Sequence, residues 1–340
     1  PDPLNNLPLL IAAAFGVSVF GALQDAAVDG MAVDIITAAQ QARANGFMGG
    51  SRMIGSSLGL TLGSWLLNTY NFTVSLVVLS LIIGLVTLVP IYLREQPGEK
   101  IAPWTAGMAS PETKRTQLTN WSTIFSSLYS VFRLPNSLIV SLLMFVTMGA
   151  YNYFEHLLPI FAVTVAGWTN VSYSQAFGMA DLVGGIGGMF LGGYLIERFG
   201  KKRMITIYFG LIIGITAALI FLKTYWVNGP FLYGFIIVYR WLNAFAKIGV
   251  YAVAMQCCSR KISASQFTTY MTLGSVGSLA GATLIGPMKE NLSWELTFLS
   301  FVGMMALSWF IMLFLNIDKH VEQITELDNE EAEREALVLN

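Results

Sequence analysis

Charged residues are scarce in this sequence. Only 11% of its 340 residues are Asp, Glu, Lys or Arg, whereas 55% are hydrophobic. A soluble domain typically carries about 25% charged residues. Because a single soluble core could not enclose so much apolar surface, the composition predicts a membrane protein. The formal net charge is −1, which lacks the basic excess typical of nucleic-acid-binding proteins, so we expect no nucleic-acid partner.

Cysteine and histidine are nearly absent, with two of each. The adjacent Cys257 and Cys258 have neither the spacing of a metal site nor that of a disulfide framework, and we interpret them as small apolar fillers of a helix. His156 and His320 are the two histidines. The sequence shows no nucleotide-binding loop and no supported Ser-His-Asp arrangement. We therefore expect no metal, no cofactor and no enzymatic activity.

Long apolar runs are abundant. A helix that crosses a bilayer needs about 20 mostly apolar residues, and nine runs meet that length. All are too long for strands, and the spans of a membrane barrel would alternate in polarity. The sequence thus predicts an all-α membrane protein with nine transmembrane helices, near residues 7–31, 47–67, 72–93, 137–164, 175–196, 203–223, 230–256, 268–288 and 294–316.

Basic residues are concentrated in every second connecting loop, and this alternation predicts the orientation of the chain in the membrane. Loops rich in Lys and Arg stay in the cytoplasm. The intervening loops, such as LNTYN and GWTNVSY, are nearly uncharged. This places the C-terminus inside the cell, and we expect a plasma membrane location, the inner membrane of a bacterium. The basic loops contain Arg43; Arg94, Lys100, Lys114, Arg115 and Arg133; Arg198, Lys201, Lys202 and Arg203; and Arg260 and Lys261.

The segment 95–135 is the only long linker. Its last part places apolar side chains at helical spacing, at Trp121, Ile124, Phe125, Leu128, Tyr129 and Phe132. Such an amphipathic helix lies along the inner membrane interface or packs on the protein, and the sequence leaves both open. The acidic tail, 318–340, is expected to be cytoplasmic, and its segment ELDNEEAERE to be a solvated, frayed end. Because the first residue is Pro1, we expect the chain to be a piece of a longer protein.

The second and eighth apolar runs resemble each other. Gly55 and Gly59 correspond to Gly277 and Gly281, and the residue numbers differ by 222 in both pairs. Both runs follow a basic loop and precede one last span. Internal repeats are common in transporters, and here they pair runs one to three with runs seven to nine. We expect these glycines to let helices pack closely, or to let them slide during transport.

The topology and one loop resemble the major facilitator superfamily, whose members have twelve spans in two halves with a long central loop. GGYLIERFGKKRMI resembles the superfamily's loop signature, in which glycines form a tight turn and charges hold the cytoplasmic side closed. The matching positions are Gly193, Glu197, Arg198, Gly200, Lys201 and Lys202. The resemblance implies that 1–94 is the rest of an N-terminal half (helices four to six), that 136–317 is a six-helix C-terminal half, and that three helices precede the chain.

Two segments have a narrower resemblance. LQDAAVDGMAVD and SASQFTTYMTLGSVGSLAG resemble the fourth and eleventh helices of AmpG-like permeases. Members of that branch move muropeptides, acetyl-CoA or siderophores, commonly with protons. The resemblance implies a monomeric permease or symporter for a small anionic or amphiphilic solute, with H+ as the expected coupling ion.

The first apolar run ends in carboxylates. Asp25 and Asp29 are four residues apart and share a helix face, where they repel unless a cation lies between them or one is protonated. Lys247 follows Asp25 by 222 positions, the offset of the glycine repeat. We interpret Asp25, Asp29, Lys247 and Arg52 as a cytoplasmic gate in which Lys247 is the symmetric counterpart of Asp25. A structural ion pair is the alternative.

Other charges lie deep within apolar runs, where an unpaired charge costs several kcal/mol. Arg240 suits a carboxylate or phosphate, which it can bind through two nitrogens. The alternative is that Arg240 pairs with Asp181 or Glu155. The candidate residues for substrate binding or coupling are Glu155, His156, Asp181, Arg240, Trp241, Asn243, Tyr151 and Asn152.

The sequence therefore favours a secondary transporter with alternating access around a site at the membrane midplane. The intramembrane charges, the repeat and the loop signature all support this class. The alternative is a facilitator-fold membrane protein without transport, such as an assembly factor or a sensor. Proteins of that second class tend to lose the polar cavity, whereas this sequence retains one.

Overall fold

The computed structural model describes residues 6–92, 98, 100, 104–107, 121–259 and 261–339, with side chains at all of these except Asp34, Leu60 and 331–339. Residues 95–97, 99, 101–103 and 108–120 of the expected linker 95–135, together with Arg260, therefore lie outside the described residues. Within the described ranges the chain is helical and contains no strand. The helices are α1 Leu7–Ile35, α2 Gln41–Thr69, α3 Phe72–Tyr92, α4 Trp121–Phe132, α5 Pro135–Thr164, α6 Asn170–Gly187, α7 Gly193–Phe199, α8 Lys201–Phe221, α9 Gly229–Gln256, α10 Ser263–Asn291, α11 Trp294–Phe314 and α12 Ile317–Leu339.

Local sequence signals set several helix ends. Pro135 occupies the first turn of α5, where its missing N–H is not needed. Side-chain oxygens of Thr169, Asn228 and Ser293 accept backbone N–H groups at the starts of α6, α9 and α11. Gly200 separates α7 from α8 with φ of +92°, a conformation that favours glycine. A π-helical turn, Gly188–Gly192, joins α6 to α7.

All nine predicted runs are helical, and seven helices in the described ranges are long and apolar enough to cross a membrane. The other two, α2 and α10, are each 29 residues long but richer in polar residues. They begin six and five residues before the predicted runs because buried polar side chains occupy their first turns. Asn45 donates to Met255 Sδ at 3.0 Å, and Gln266 donates to the Cys257 carbonyl at 2.8 Å.

The core lies among α5, α8, α9, α10 and α11. The Phe154 ring on α5 stacks on Phe301 of α11 at 4.1 Å and contacts Tyr239 of α9 at 4.7 Å between ring centroids. Cys257 is fully buried within the same core. Tight aromatic packing therefore holds α5, α9 and α11 together.

Helices α5 and α10 approach each other through glycines. A Cβ atom added to Gly281 would lie 2.0 Å from the Gly149 carbonyl oxygen, and one added to Gly277 would lie 2.1 Å from that of Phe145. The two helices therefore meet backbone to backbone at these two positions. Around Gly55 and Gly59, by contrast, an added Cβ meets nothing within 4 Å among the described residues. That half of α2 has no neighbouring helix on its glycine face, so the described structure does not provide the predicted packing there.

Helices α1 and α2 contact the remaining helices mainly at the end with the basic loops, which we call the basic side. On α2 the contacts continue to Ser57, whose hydroxyl donates to the Gly178 carbonyl of α6 at 3.2 Å. Gly30 of α1 lies against Ala264 of α10, with an added Cβ 2.6 Å from the alanine Cβ. A Cβ atom added to Gly50 of α2 would lie 2.5 Å from the Gly185 carbonyl oxygen of α6. Beyond these contacts most side chains of α1 and α3 are exposed. The two groups of helices are therefore in contact on the basic side.

Helices α4 and α12 form a layer on the basic side. Ile324 of α12 packs with Val131 of α4 and Ile262, and the Ser259 hydroxyl donates to Asp328 at 2.6 Å. His320 is fully buried, with Nε2 3.1 Å from the Cys257 carbonyl. The first part of the tail is thus docked rather than solvated, because its apolar face follows helical spacing that the acidic composition obscures.

We predict that Gly281→Ala lowers stability by about 1–3 kcal/mol, because the new methyl overlaps the α5 backbone, which cannot move away as a side chain could. The measurement is the thermal unfolding midpoint in detergent. Gly303→Ala on α11 is the matched control, since a Cβ there meets nothing within 4 Å. Equal midpoints for the two variants would contradict the close contact.

We also predict that acid weakens the docking of α12. Burial lowers the pKa of His320 below its usual value, although the Cys257 carbonyl opposes this. The docked state therefore binds fewer protons than the free tail. The free energy of docking is at its full value above about pH 6.5 and becomes less favourable as pH falls toward the lowered pKa. The measurement is the protection of the tail amides against hydrogen exchange at pH 7.5 and 5.5, each relative to the intrinsic exchange rate at that pH. His320→Gln, which cannot protonate, should remove it; unchanged pH dependence in that variant would contradict the prediction.

Candidate functional site

Three helices bring four charged side chains together inside the bundle. Arg240 and Lys247 lie on α9, Glu155 on α5 and Asp181 on α6. Along α9, Arg240, Asn243 and Lys247 follow at intervals of three and four residues, so they share one helix face. Two cations and two anions give this charge network, which we define as Glu155, Asp181, Arg240 and Lys247, a formal sum of zero.

Glu155 is the centre of the network. One of its oxygens, Oε1, accepts hydrogen bonds from Arg240 Nη1 at 2.6 Å, Asn243 Nδ2 at 2.9 Å and Lys247 Nζ at 3.1 Å. The Glu155 side chain is 21% exposed and that of Arg240 only 9%. Because isolated charges are costly in such surroundings, each member of the network depends on the others for stability.

Asp181 binds the other side of the same guanidinium. Its Oδ1 accepts from Arg240 Nε at 2.5 Å and also from Nη2. The guanidinium carbon lies 4.2 Å from the centroid of the Phe177 ring, a cation–π contact that further stabilises a desolvated Arg. Arg240 thus pairs with both carboxylates, so the structural alternative raised by the sequence is realised in this conformation.

Unpaired polar atoms surround the charge network. Within the described ranges, buried polar atoms with no hydrogen-bond partner include Tyr151 Oη, Tyr173 Oη, Trp241 Nε1 and Asn243 Oδ1. Lys247 Nζ lies 5.3 Å from the centroid of the Tyr151 ring. Buried polar groups are rarely left unpaired. Donors and acceptors converging beside fixed charges are typical of a site for a polar solute.

Three of the predicted site residues, His156, Asn152 and Trp241, do not join this network. His156 is exposed, and its Nδ1 lies 3.1 Å from the Asn152 carbonyl of its own helix. Asn152 itself is partly buried. Because consecutive residues point about 100° apart on a helix, Glu155 can face the interior while His156 faces outward. Trp241 packs with its indole against Gly184, where an added Cβ would lie 3.1 Å from the ring.

The structure does not pair Lys247 with Asp25, its symmetric counterpart in the proposed gate. Lys247 donates to Glu155, and Asp25 accepts from Arg52 Nη2 at 2.9 Å in a largely exposed pair. Tyr251, one turn beyond Lys247, donates to Met148 Sδ of α5 at 3.7 Å. Asp25 and Lys247 therefore have separate partners, because α5 lies beside α9 and supplies a nearer carboxylate.

The loop signature connects the two groups of helices on the basic side. Glu197 Oε2 accepts from Arg43 Nη2 at 2.7 Å, and Glu197 Oε1 accepts from the Arg43 backbone N–H at 3.0 Å. Gly193 permits the approach, since an added Cβ would lie 2.5 Å from the Arg43 Cα. Lys201 Nζ donates to Gln41 of α2 at 3.2 Å and to Gln256 of α9 at 2.7 Å.

The remaining members of the signature act within one group of helices. Lys202 Nζ donates to the carbonyls of Leu313 and Leu315 at 2.9 and 2.6 Å, and so caps the end of α11. Gly200 forms the turn between α7 and α8. Arg198 is exposed. The signature therefore combines an inter-helix ion pair, a hydrogen-bonded lysine and a helix cap.

Sequence reasoning missed several participants. Tyr173 and Phe177 precede Asp181 by eight and four residues, so all three share one face of α6; an aromatic row at that spacing, ending in an intramembrane Asp, was the available signal. Arg43 and Gln41 carried no such signal, because their role depends on contact with α7 and α8. In the part of the chain that the structure describes, no group of three or more His, Cys, Asp or Glu residues could hold a metal ion.

We predict that Arg240→Gln destabilises the protein by about 3–5 kcal/mol, because it leaves Asp181 with a buried, uncompensated charge. Adding Asp181→Asn should restore part of that loss. Arg43→Gln is the matched control: the Arg43 side chain is 53% exposed, and such pairs contribute at most about 1 kcal/mol. The measurement is the unfolding midpoint in detergent. If Arg240→Gln is as stable as Arg43→Gln, the network does not support the fold.

The chain is similar to known proteins in both fold and sequence. The crystal structure of the human organic anion transporter MFSD10 (TETRAN) is similar, with a TM-score of 0.63 over 84% of this chain and 15% sequence identity. The chain spans 66% of the length of that protein. At this identity the likeness concerns the fold alone. The sequence also matches the family description Major Facilitator Superfamily over residues 3–282. Because that match extends over most of the chain, the chain belongs to the Major Facilitator Superfamily.

Proposed function

We propose that this chain performs secondary active transport of a small anionic or amphiphilic solute by alternating access, with H+ as the coupling ion. The observation that carries the proposal is the neutral charge network with unpaired polar atoms around it. The similar solved structure is of an organic anion transporter, which agrees with the proposed charge of the solute. The narrower AmpG-like assignment, a monomeric state and a location in a bacterial inner membrane belong to the same proposal.

Electroneutrality supplies the coupling mechanism. When empty, the charge network sums to zero. A proton on Glu155 would leave a net charge of +1 in a low-dielectric site, which is costly. A monovalent anion bound to Arg240 or Lys247 would restore neutrality. Because each step alone is unfavourable and the two together are not, proton and anion bind together, and we propose a ratio of one proton to one negative charge.

Protonation would also free the cations. Glu155 Oε1 accepts three hydrogen bonds, two of them from Arg240 and Lys247. A neutral carboxyl is a weaker acceptor for a cation, so Lys247 could turn toward a bound carboxylate or phosphate. Arg240 would stay oriented by Asp181 and Phe177. The Tyr151 ring, whose centroid lies 5.3 Å from Lys247 Nζ, supplies aromatic surface next to a cation, which suits an amphiphilic anion.

We assign the gate on the basic side to contacts that must break when this side opens. Arg43–Glu197 and Lys201–Gln41 join α2 to the loop-signature segment. The Asp25–Arg52 pair joins α1 to α2, and Asp29 lies one turn after Asp25 on α1. Packing through Gly30 and Gly50 completes the closure.

The test is uptake into proteoliposomes with and without an acidic external medium. The panel contains a muropeptide, a siderophore, a dipeptide and acetyl-CoA. We expect one of them to accumulate only with the proton gradient. Glu155→Gln should lose gradient-driven uptake while keeping exchange of solute across the membrane, because the neutral amide mimics the protonated state. His156→Gln is the matched control, since the neighbouring His156 faces away from the network.

Gradient dependence that survives in Glu155→Gln would contradict the coupling mechanism. Asp25→Asn and Lys247→Ala should reduce uptake without preventing membrane insertion, and normal uptake in both would contradict their role in gating. If folded protein transports no member of the panel, the alternative of a facilitator-fold protein without transport gains support.

A further inference from the structure

Helix α4 has two different faces, and one of them is packed. Val131 and Ser127 are buried. Val131 belongs to a small apolar cluster with Ile262 and with Ile324 of α12. This face therefore docks α4 onto the basic side of the bundle. At the end of the helix the Phe132 ring, seven residues after Phe125 and so near the aromatic line, contacts the Tyr270 ring of α10 at 5.4 Å between centroids.

The other face of α4 is free and aromatic. Trp121, Phe125 and Tyr129 are 75%, 65% and 61% exposed. They follow at intervals of four residues and so form one line along the helix. None of the twelve residues of α4, WSTIFSSLYSVF, is charged. Three large aromatic side chains facing water on one short helix would be unfavourable, because burial of apolar area is the main stabilising contribution to folding and association.

The position of α4 identifies what covers this face. α4 ends at Phe132 and the membrane-spanning α5 begins at Pro135. Two intervening residues span at most about 10 Å of extended chain, so the end of α4 lies at the level where α5 enters the bilayer. Trp and Tyr are enriched at that level, where an apolar ring body and a polar edge are both satisfied.

Arg133 extends the aromatic row by one further turn. Its Nη2 donates to the Tyr129 hydroxyl at 2.6 Å, and the guanidinium carbon lies 4.4 Å from the centroid of that ring. A cation stacked on the last aromatic ring matches the negatively charged phosphate groups of lipids. The row from Trp121 to Arg133 therefore consists of residue types that are favourable at the membrane interface.

We propose that α4 is a membrane-interface helix whose Trp121, Phe125 and Tyr129 side chains insert into the lipid leaflet on the basic side. The polar residues of α4 itself are serine and threonine, without Lys or Arg. Insertion therefore depends on apolar contact and loosely packed lipid, with little contribution from the charge of the lipid. The packed face of α4 then holds α12 beneath the same leaflet, so one helix positions both the central segment and the tail.

The test is spin-label accessibility on the full chain in lipid nanodiscs. Single cysteines replace Trp121, Phe125 or Tyr129 in a background with Cys257→Ala and Cys258→Ala, and each is labelled with a nitroxide. We expect collisions with oxygen, which partitions into lipid, to exceed those with a water-soluble nickel chelate at all three sites. Ser126→Cys is the matched control, because Ser126 is exposed on α4 outside the aromatic line, and there the order should reverse.

Three results would overturn the proposal. Nickel collisions that dominate at the aromatic sites would place them in water. Exclusion of both reagents would indicate that protein covers them, for example a second copy of the chain. Loss of oxygen accessibility when anionic lipid is left out would show that charge, rather than apolar insertion, holds the helix. The readout does not involve transport, so it is independent of the proposed function.

A second measurement needs no substitution. The unmodified chain is reconstituted with a phospholipid that carries a photoactivatable group near its headgroup, irradiated and digested. We expect adducts on the peptide that contains residues 121–133. Adducts on the ends of α5 and α11 without any on that peptide would also overturn the proposal.

Discussion

The interaction on which the interior of this protein depends is the double pairing of Arg240. A guanidinium between membrane-spanning helices is tolerated only where its charge is compensated, and here two carboxylates from two helices do so. The consequence is mechanical as well as electrostatic, because α5, α6 and α9 cannot separate without exposing a charge. Lys247 brings the network to neutrality through the same Glu155 oxygen.

Close backbone contact is the second constraint. Within a membrane the hydrophobic effect does little to bring helices together, so packing and hydrogen bonds must do it. Gly149, Gly277 and Gly281 let α5 and α10 meet backbone to backbone, and Gly46 and Gly50 do the same for α2 against α6 and the π-helical turn. Such contacts leave no side chains to interlock between the paired helices.

The internal repeat explains part of the architecture and also shows its limits. The offset of 222 pairs Gly55 and Gly59 with Gly277 and Gly281, but the second pair contacts α5 while the first faces open space in the described structure. The same offset pairs Asp25 with Lys247, yet each has a different partner. Repeated sequence therefore specifies equivalent helices, whereas the contacts of each helix depend on which neighbours lie beside it.

The sequence by itself determined the membrane class, the nine apolar helices, the loop signature and most members of the charge network, because hydrophobic length and buried charge are properties of the residues alone. It did not determine that Arg240 binds both Asp181 and Glu155, that His156 turns away, or that Arg43 meets Glu197. Those pairs are separated by 59 to 154 positions, and only the packing of helices selects which of several possible partners lies within reach. The sequence determines the chemistry of each side chain, whereas the folded structure determines which partner lies within bonding distance.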